Sequence, residues 1–119
     1  MSSLKSFREL IVWQKSVDLV EKIYRETRSL PKEEIYGLTG QMRRAAVSIP
    51  SNIAEGQSRN STGEFRQFLG ISKGSLAELE TQIEVAGRLK YLTSQQLENL
   101  LRECMEIGKM LNGLMRSLF

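Results

Sequence analysis

The chain has 119 residues, 40% of them hydrophobic and 26% charged, with a net charge of +3 and a pI near 9.2. That bounds it to a single domain over residues 1–119, large enough to bury about two-thirds of its unfolded surface. It contains no histidine and one cysteine, Cys104, which excludes Ser–His and Cys–His nucleophile pairs, Cys/His zinc sites, Glu-x-x-His di-iron sites and any internal disulfide.

The first helix is expected to open at Ser6 or Phe7 and run to about Arg28. Phe7, Leu10, Trp13, Val17, Val20 and Tyr24 step by three and four along one face, and Ile11, Leu19 and Ile23 widen it. Lys15, Asp18, Glu21, Lys22, Arg25 and Glu26 cover the other side, with Asp18 and Lys22 a favourable i, i+4 pair. The place of Trp13 in the stripe reads as a core or subunit contact rather than a stacking residue. Residues 29–35 read as a connection, because Pro31 turns the chain out of helical angles.

Tyr36 and Gly37 lead into the second helix. Its apolar face is Leu38, Met42, Ala45, Ala46, Ile49 and Ile53; its polar stripe is Arg44, Ser48, Asn52 (or Ser51), Glu55 and Arg59. Pro50 lies inside this pattern. It cannot donate to the Ala46 carbonyl, so a bend is expected there. The helix ends near Gly56 or frays on through Gln57 and Ser58.

Asn60 to Gly63 form the next break. Ser61 with Glu64 forms a capping box, in which hydroxyl and carboxylate each satisfy a backbone amide. The third helix runs to about Lys90 with Phe65, Phe68, Leu69, Ser72, Leu76, Leu79, Ile83 and Ala86 inward. Gly70 and Gly74, one turn apart, predict a groove that a neighbouring helix backbone enters. Thr93 with Gln96 offers a second capping box. The last helix follows to the C-terminus with Leu97, Leu100, Leu101, Cys104, Ile107, Leu111, Leu114 and Leu118 on its face, and Cys104 reads as a small core residue. Four helices of about 20 residues with short loops give an all-α, antiparallel up-down four-helix bundle with a Pro-kinked second helix.

Residues 41–56, QMRRAAVSIPSNIAEG, resemble the signature of the small bacterial four-helix-bundle proteins encoded in 23S ribosomal RNA intervening sequences. The resemblance continues in FRQFL at 65–69, in GSLAELE at 74–80 and in the opening FRELIVWQ at 7–14. It covers nearly the whole chain. It implies a toroidal homopentamer. It also implies kinship in fold with the accessory protein of diversity-generating retroelements, which acts with a reverse transcriptase and nucleic acid. The family has no established enzymatic activity, and nucleic-acid binding is its proposed role.

No loop offers clustered acids at calcium-binding spacing, so no metal or cofactor is expected. The longest uninterrupted apolar run, residues 10–13, is far too short to cross a bilayer. The opening MSSLKSF lacks the apolar core of a signal peptide, and a cytoplasmic protein is expected. Residues 1–60 hold ten Lys/Arg against seven Asp/Glu, while residues 61–119 hold seven against seven. The basic excess therefore lies in the first half. This composition favours a non-enzymatic oligomer that contacts the backbone of RNA or DNA through Arg43, Arg44, Arg59 and Arg66, with Lys15, Lys22 and Arg25 as secondary contacts. The alternative is a protein-binding scaffold, for example a reverse-transcriptase accessory protein. For any single arginine a structural ion pair is an equal reading. Most aromatic residues sit on core stripes, so stacking against bases is not expected.

Overall fold

The structure is a computed structural model describing residues 6–118. Residues 1–5, which hold most of the MSSLKSF opening, and Phe119, to which the last helix was expected to run, lie outside it. Four helices make up the bundle: α1 (Ile11–Glu26), α2 (Leu38–Gln57), α3 (Thr62–Arg88) and α4 (Ser94–Ser117). Three single-turn 3₁₀ segments accompany them, at Phe7–Glu9, Thr27–Ser29 and Lys32–Glu34, and the described residues contain no strand.

The helix starts follow from their caps. Thr93 and Gln96 form the full reciprocal box, with the Gln96 amide donating to Thr93 Oγ1 at 3.1 Å and the Thr93 amide to Gln96 Oε1 at 2.8 Å. The box at Ser61 closes only halfway. Glu64 N donates to Ser61 Oγ at 3.1 Å, but the Glu64 carboxylate accepts from the same hydroxyl rather than from the backbone.

α1 departs from the expected helix in two ways. Its first turn is separate: Ser6 caps the 3₁₀ segment, and Leu10 is extended at φ −75°, ψ 123° before α1 begins. Its inner face is also rotated. Val12, Ser16, Leu19 and Ile23 are the buried residues, whereas Trp13, Val17 and Val20 are half-buried and Ile11 and Tyr24 exposed. The cause is Ser16, whose hydroxyl donates to the Val12 carbonyl at 2.7 Å and so enters the core satisfied. A polar residue on the buried stripe made the neighbouring, wholly apolar stripe look like the core face.

α2 packs most closely on α3. Gly56 lies against Phe68 and Phe65, Ser72 Oγ donates to the Ile49 carbonyl at 2.9 Å, and the Ser48 and Ser75 hydroxyls meet at 2.5 Å. The partners descend along α3 as they rise along α2, so the two helices run in opposite directions. α2 continues as one helix through Pro50, which is buried. A Cβ on Gly56 would stand 2.7 Å from Phe68 Cβ, so this glycine permits the close crossing. Gly70 and Gly74 do not play the expected part. Only Met115 Cε, at 4.0 Å, comes near Gly70, and nothing lies within 4 Å of Gly74. Both sit away from the packed face of α3, and no helix backbone of this chain enters there.

The core runs the length of the molecule, whose extents are 47 × 24 × 19 Å. Leu19, Ile23, Met42, Ile49, Ile53, Leu69, Leu79, Ile83, Leu100, Ile107 and Leu111 are all fully buried with Cys104. Burial pushes the Cys104 thiol up to about 12, with Glu80 and Glu103 adding to the effect, so the thiolate is strongly disfavoured. Among the described residues no helix is long and apolar enough to cross a membrane.

Candidate nucleic-acid interface

The end of α1, the connection after it and the outer face of α2 meet around Arg43. Thr27, just past α1, donates its hydroxyl to the Ile23 carbonyl at 2.6 Å. The same oxygen accepts from Arg43 Nε at 3.0 Å, and Arg43 also donates to the Tyr24 carbonyl at 3.2 Å. Its guanidinium lies 4.6 Å from the Tyr24 ring centroid. Arg43 therefore satisfies carbonyl oxygen that the end of α1 leaves without amide partners, at the negative end of that helix.

The connection is held as firmly. Ile35 N donates to the Lys32 carbonyl at 3.1 Å and Gly37 N to the Glu34 carbonyl at 2.9 Å. Gly37 has no side chain to cap α2, and Glu34 does it instead: Oε1 accepts from Leu38 N at 3.0 Å. Oε2 of the same carboxylate accepts from Tyr91 Oη at 3.2 Å. Burial and this bond both raise the Tyr91 phenol above its ordinary pKa.

Two adjoining hollows result. The larger, of about 670 Å³, is lined by Tyr24, Ile35, Tyr36, Gly40, Arg43, Arg44, Val47 and Ser48. The smaller, of about 330 Å³, shares Ile35 and Arg43 with it and adds Arg28 and Lys32. Tyr36 is 94% exposed, and Tyr24, Ile35 and Val47 are also on the surface. Gly40 forms the floor, since a Cβ there would stand 2.8 Å from the Ile35 carbonyl oxygen and 3.3 Å from Arg44 Nη1. No carboxylate lines either hollow.

The other basic residues singled out from the sequence lie elsewhere. Arg59, beyond the far end of α2, pairs with Glu55 at 2.8 Å and lies 4.9 Å from the Phe68 ring centroid. Arg66 Nε donates to the Met115 carbonyl at 3.0 Å, near the end of α4. Lys22 bonds to Glu103, and Arg25 approaches Glu26 at 3.9 Å. Lys15, Lys22 and Arg25 share a hollow of about 430 Å³ with Asp18, Glu21, Glu103 and Glu106, so acids outnumber bases there. Of the seven, the structure brings only Arg43 and Arg44 into one basic groove. The sequence reading missed Arg28 and Lys32. It also placed Tyr24 on a core stripe, and the structure shows it exposed. The available signal was the Ile35–Tyr36 pair, two large apolar residues in a connection that has no core to enter.

No group of three or more metal-ligating residues occurs among the described residues. The family model for the 23S rRNA-intervening sequence protein matches residues 8–113. A crystal structure from Bacteroides thetaiotaomicron, described as a protein with unknown function from the S23 ribosomal protein family, is similar with a TM-score of 0.82 and 27% sequence identity. The match covers 89% of this chain and 96% of that one. No protein of curated description matches the chain in sequence.

Proposed function

The chain belongs to the 23S rRNA-intervening sequence protein family, and from that premise we propose that it is a non-enzymatic bundle protein that binds RNA or DNA through the groove around Arg43 and Arg44. One observation carries the reading. The two adjoining hollows gather Arg28, Lys32, Arg43 and Arg44 with no lining carboxylate, while in the α1–α4 hollow four acids offset three bases. Phosphates need cations at reachable spacing and little else. Self-association, for which the family resemblance implies a pentamer, would repeat the groove and raise its avidity.

The structure also selects the residues for the test. Arg43, Arg59 and Arg66 each bond to the fold, so removing them would disturb structure and binding together. The side chains of Arg28, Lys32 and Arg44 have no ion-pair or hydrogen-bond partner among the described residues. Replacing these three with glutamine is expected to weaken binding to all sequences alike. It is also expected to flatten the salt dependence by about two units of log K per log salt on single strands. Fluorescence anisotropy between 50 and 300 mM salt reads both. Wild-type protein that binds nothing at 50 mM salt would refute the proposal.

A second reading rests on Ile35, Tyr36 and Val47, which expose apolar surface around the same groove. A protein partner such as a reverse transcriptase, or another copy of the chain, would cover that surface. A complex insensitive to salt would favour it.

A further inference from the structure

We infer that the groove takes a single strand, with an unpaired base stacked on the ring of Tyr36 while Arg44 and Lys32 hold the flanking phosphates; this rests on the nucleic-acid reading above. Tyr36 is the most exposed large hydrophobic residue among the described residues, at 94%, and its ring is offered to solvent from a fixed backbone. The amides on either side of it, at Ile35 and Gly37, are both bonded within the turn, and the Glu34 carboxylate pins the turn to the first amide of α2. The backbone beneath the ring is therefore already ordered, and only the side chain has to settle when a base stacks on it.

The neighbouring aromatic is not equivalent. One face of Tyr24 already carries the Arg43 guanidinium at 4.6 Å, and Arg43 is itself tied to Thr27. Tyr36, 94% exposed against 42% for Tyr24, is thus the more open of the two rings that line the larger hollow.

Charge complementarity decides the class of occupant. Four cations and no carboxylate line the two hollows, which suits a polyanion and opposes an acid-poor apolar peptide. The dimensions decide its form. The larger hollow, at about 670 Å³ and broadly open to solvent, has room for a nucleotide or two along its length rather than for the long face of a duplex. A duplex also keeps its base faces stacked inside, out of reach of Tyr36. Aromatic rings beside a basic track are the common means of holding unpaired bases without sequence readout. Backbone contact alone, the expectation from sequence, follows only if the aromatic rings are in the core, and this one is not.

The test uses labelled 12-nucleotide single strands, oligo(A) and oligo(U) as RNA and as DNA, and a 12-base-pair duplex, at 50 to 300 mM salt. Wild-type protein should bind single strands more tightly than the duplex, and oligo(A) more tightly than oligo(U). Tyr36→Ala should lose roughly tenfold on single strands, with an unchanged salt slope and unchanged duplex binding; Tyr36→Phe should keep wild-type affinity. Equal single-strand binding by wild type and Tyr36→Ala would overturn the inference, as would an equal loss on strand and duplex. In either case phosphate binding through Arg28, Lys32 and Arg44 would still stand. Absence of any binding by the wild type would remove both. Circular dichroism of the variants confirms that the bundle is intact.

Discussion

Arg43 Nε donates to Thr27 Oγ1 at 3.0 Å, and Thr27 in turn donates to the Ile23 carbonyl at 2.6 Å. The pair joins the last turn of α1 to the second turn of α2 with a charged donor at its centre. Arg43→Gln is therefore expected to destabilise the fold by about 1–2 kcal/mol, measured by urea unfolding. A variant as stable as wild type would show that the bond adds nothing to the fold.

Two glycines should respond in opposite senses. Gly56→Ala places a Cβ 2.7 Å from Phe68 Cβ and 3.0 Å from Phe65 Cδ1, and overpacking of this kind costs about 1–3 kcal/mol. Gly74→Ala meets nothing within 4 Å on an exposed position. It should stabilise α3 by up to about 1 kcal/mol through helix propensity. Thermal denaturation of the two variants checks both signs.

Cys104 should be silent to alkylation at pH 8 in the native protein and react when the chain unfolds, since its pKa is pushed up to about 12. The same shift predicts a pH dependence. The folded state holds this proton more tightly than the unfolded state, whose thiol titrates near 9. The associated stability is complete below that value and is lost as pH rises from about 9 toward 12. The raised Tyr91 phenol acts in the same direction. Urea midpoints from pH 7 to 11 should fall above pH 9, and less steeply in Cys104→Ala.

Pro50 removes the amide that would reach the Ala46 carbonyl inside an otherwise continuous α2. A bend at this turn is expected in solution, and Pro50→Ala should straighten it while leaving helical content unchanged. Residual dipolar couplings along residues 38–57 measure the angle on each side of residue 50.

Much of the fold was legible because α2, α3 and α4 bury the middle of the stripes their sequence marks, while Leu38, Phe65, Phe68, Leu97, Leu101, Leu114 and Leu118 on the same stripes are half-buried. Met42, Ile49, Ile53, Leu79, Ile83 and Leu111 are all at the centre. α1 was misread because Ser16 is buried with its hydroxyl satisfied locally, a solution that periodicity of apolar residues does not detect. The groove was half legible. Arg43 and Arg44 announced it, but Arg28 and Lys32 come from a connection whose path depends on the Lys32 and Glu34 hydrogen bonds. Arg59 and Arg66 lie apart from the groove and bond within the fold, which their sequence positions do not reveal. A cation on a helix is as useful to a neighbouring carbonyl or carboxylate as to a phosphate, and only coordinates distinguish the two.

Arg43 and Arg44 are consecutive in the chain yet about 100° apart around α2, and this separates what a cell would notice about each. Loss of the first would appear as lower yield of folded protein, because Arg43 holds α1 to α2. Loss of the second would leave yield and solubility untouched, because Arg44 is exposed and bonds to no neighbour among the described residues. A survey of variants scored by abundance would rank position 43 as important and pass over position 44, although under the proposed function only the second reports on the ligand without also reporting on the fold.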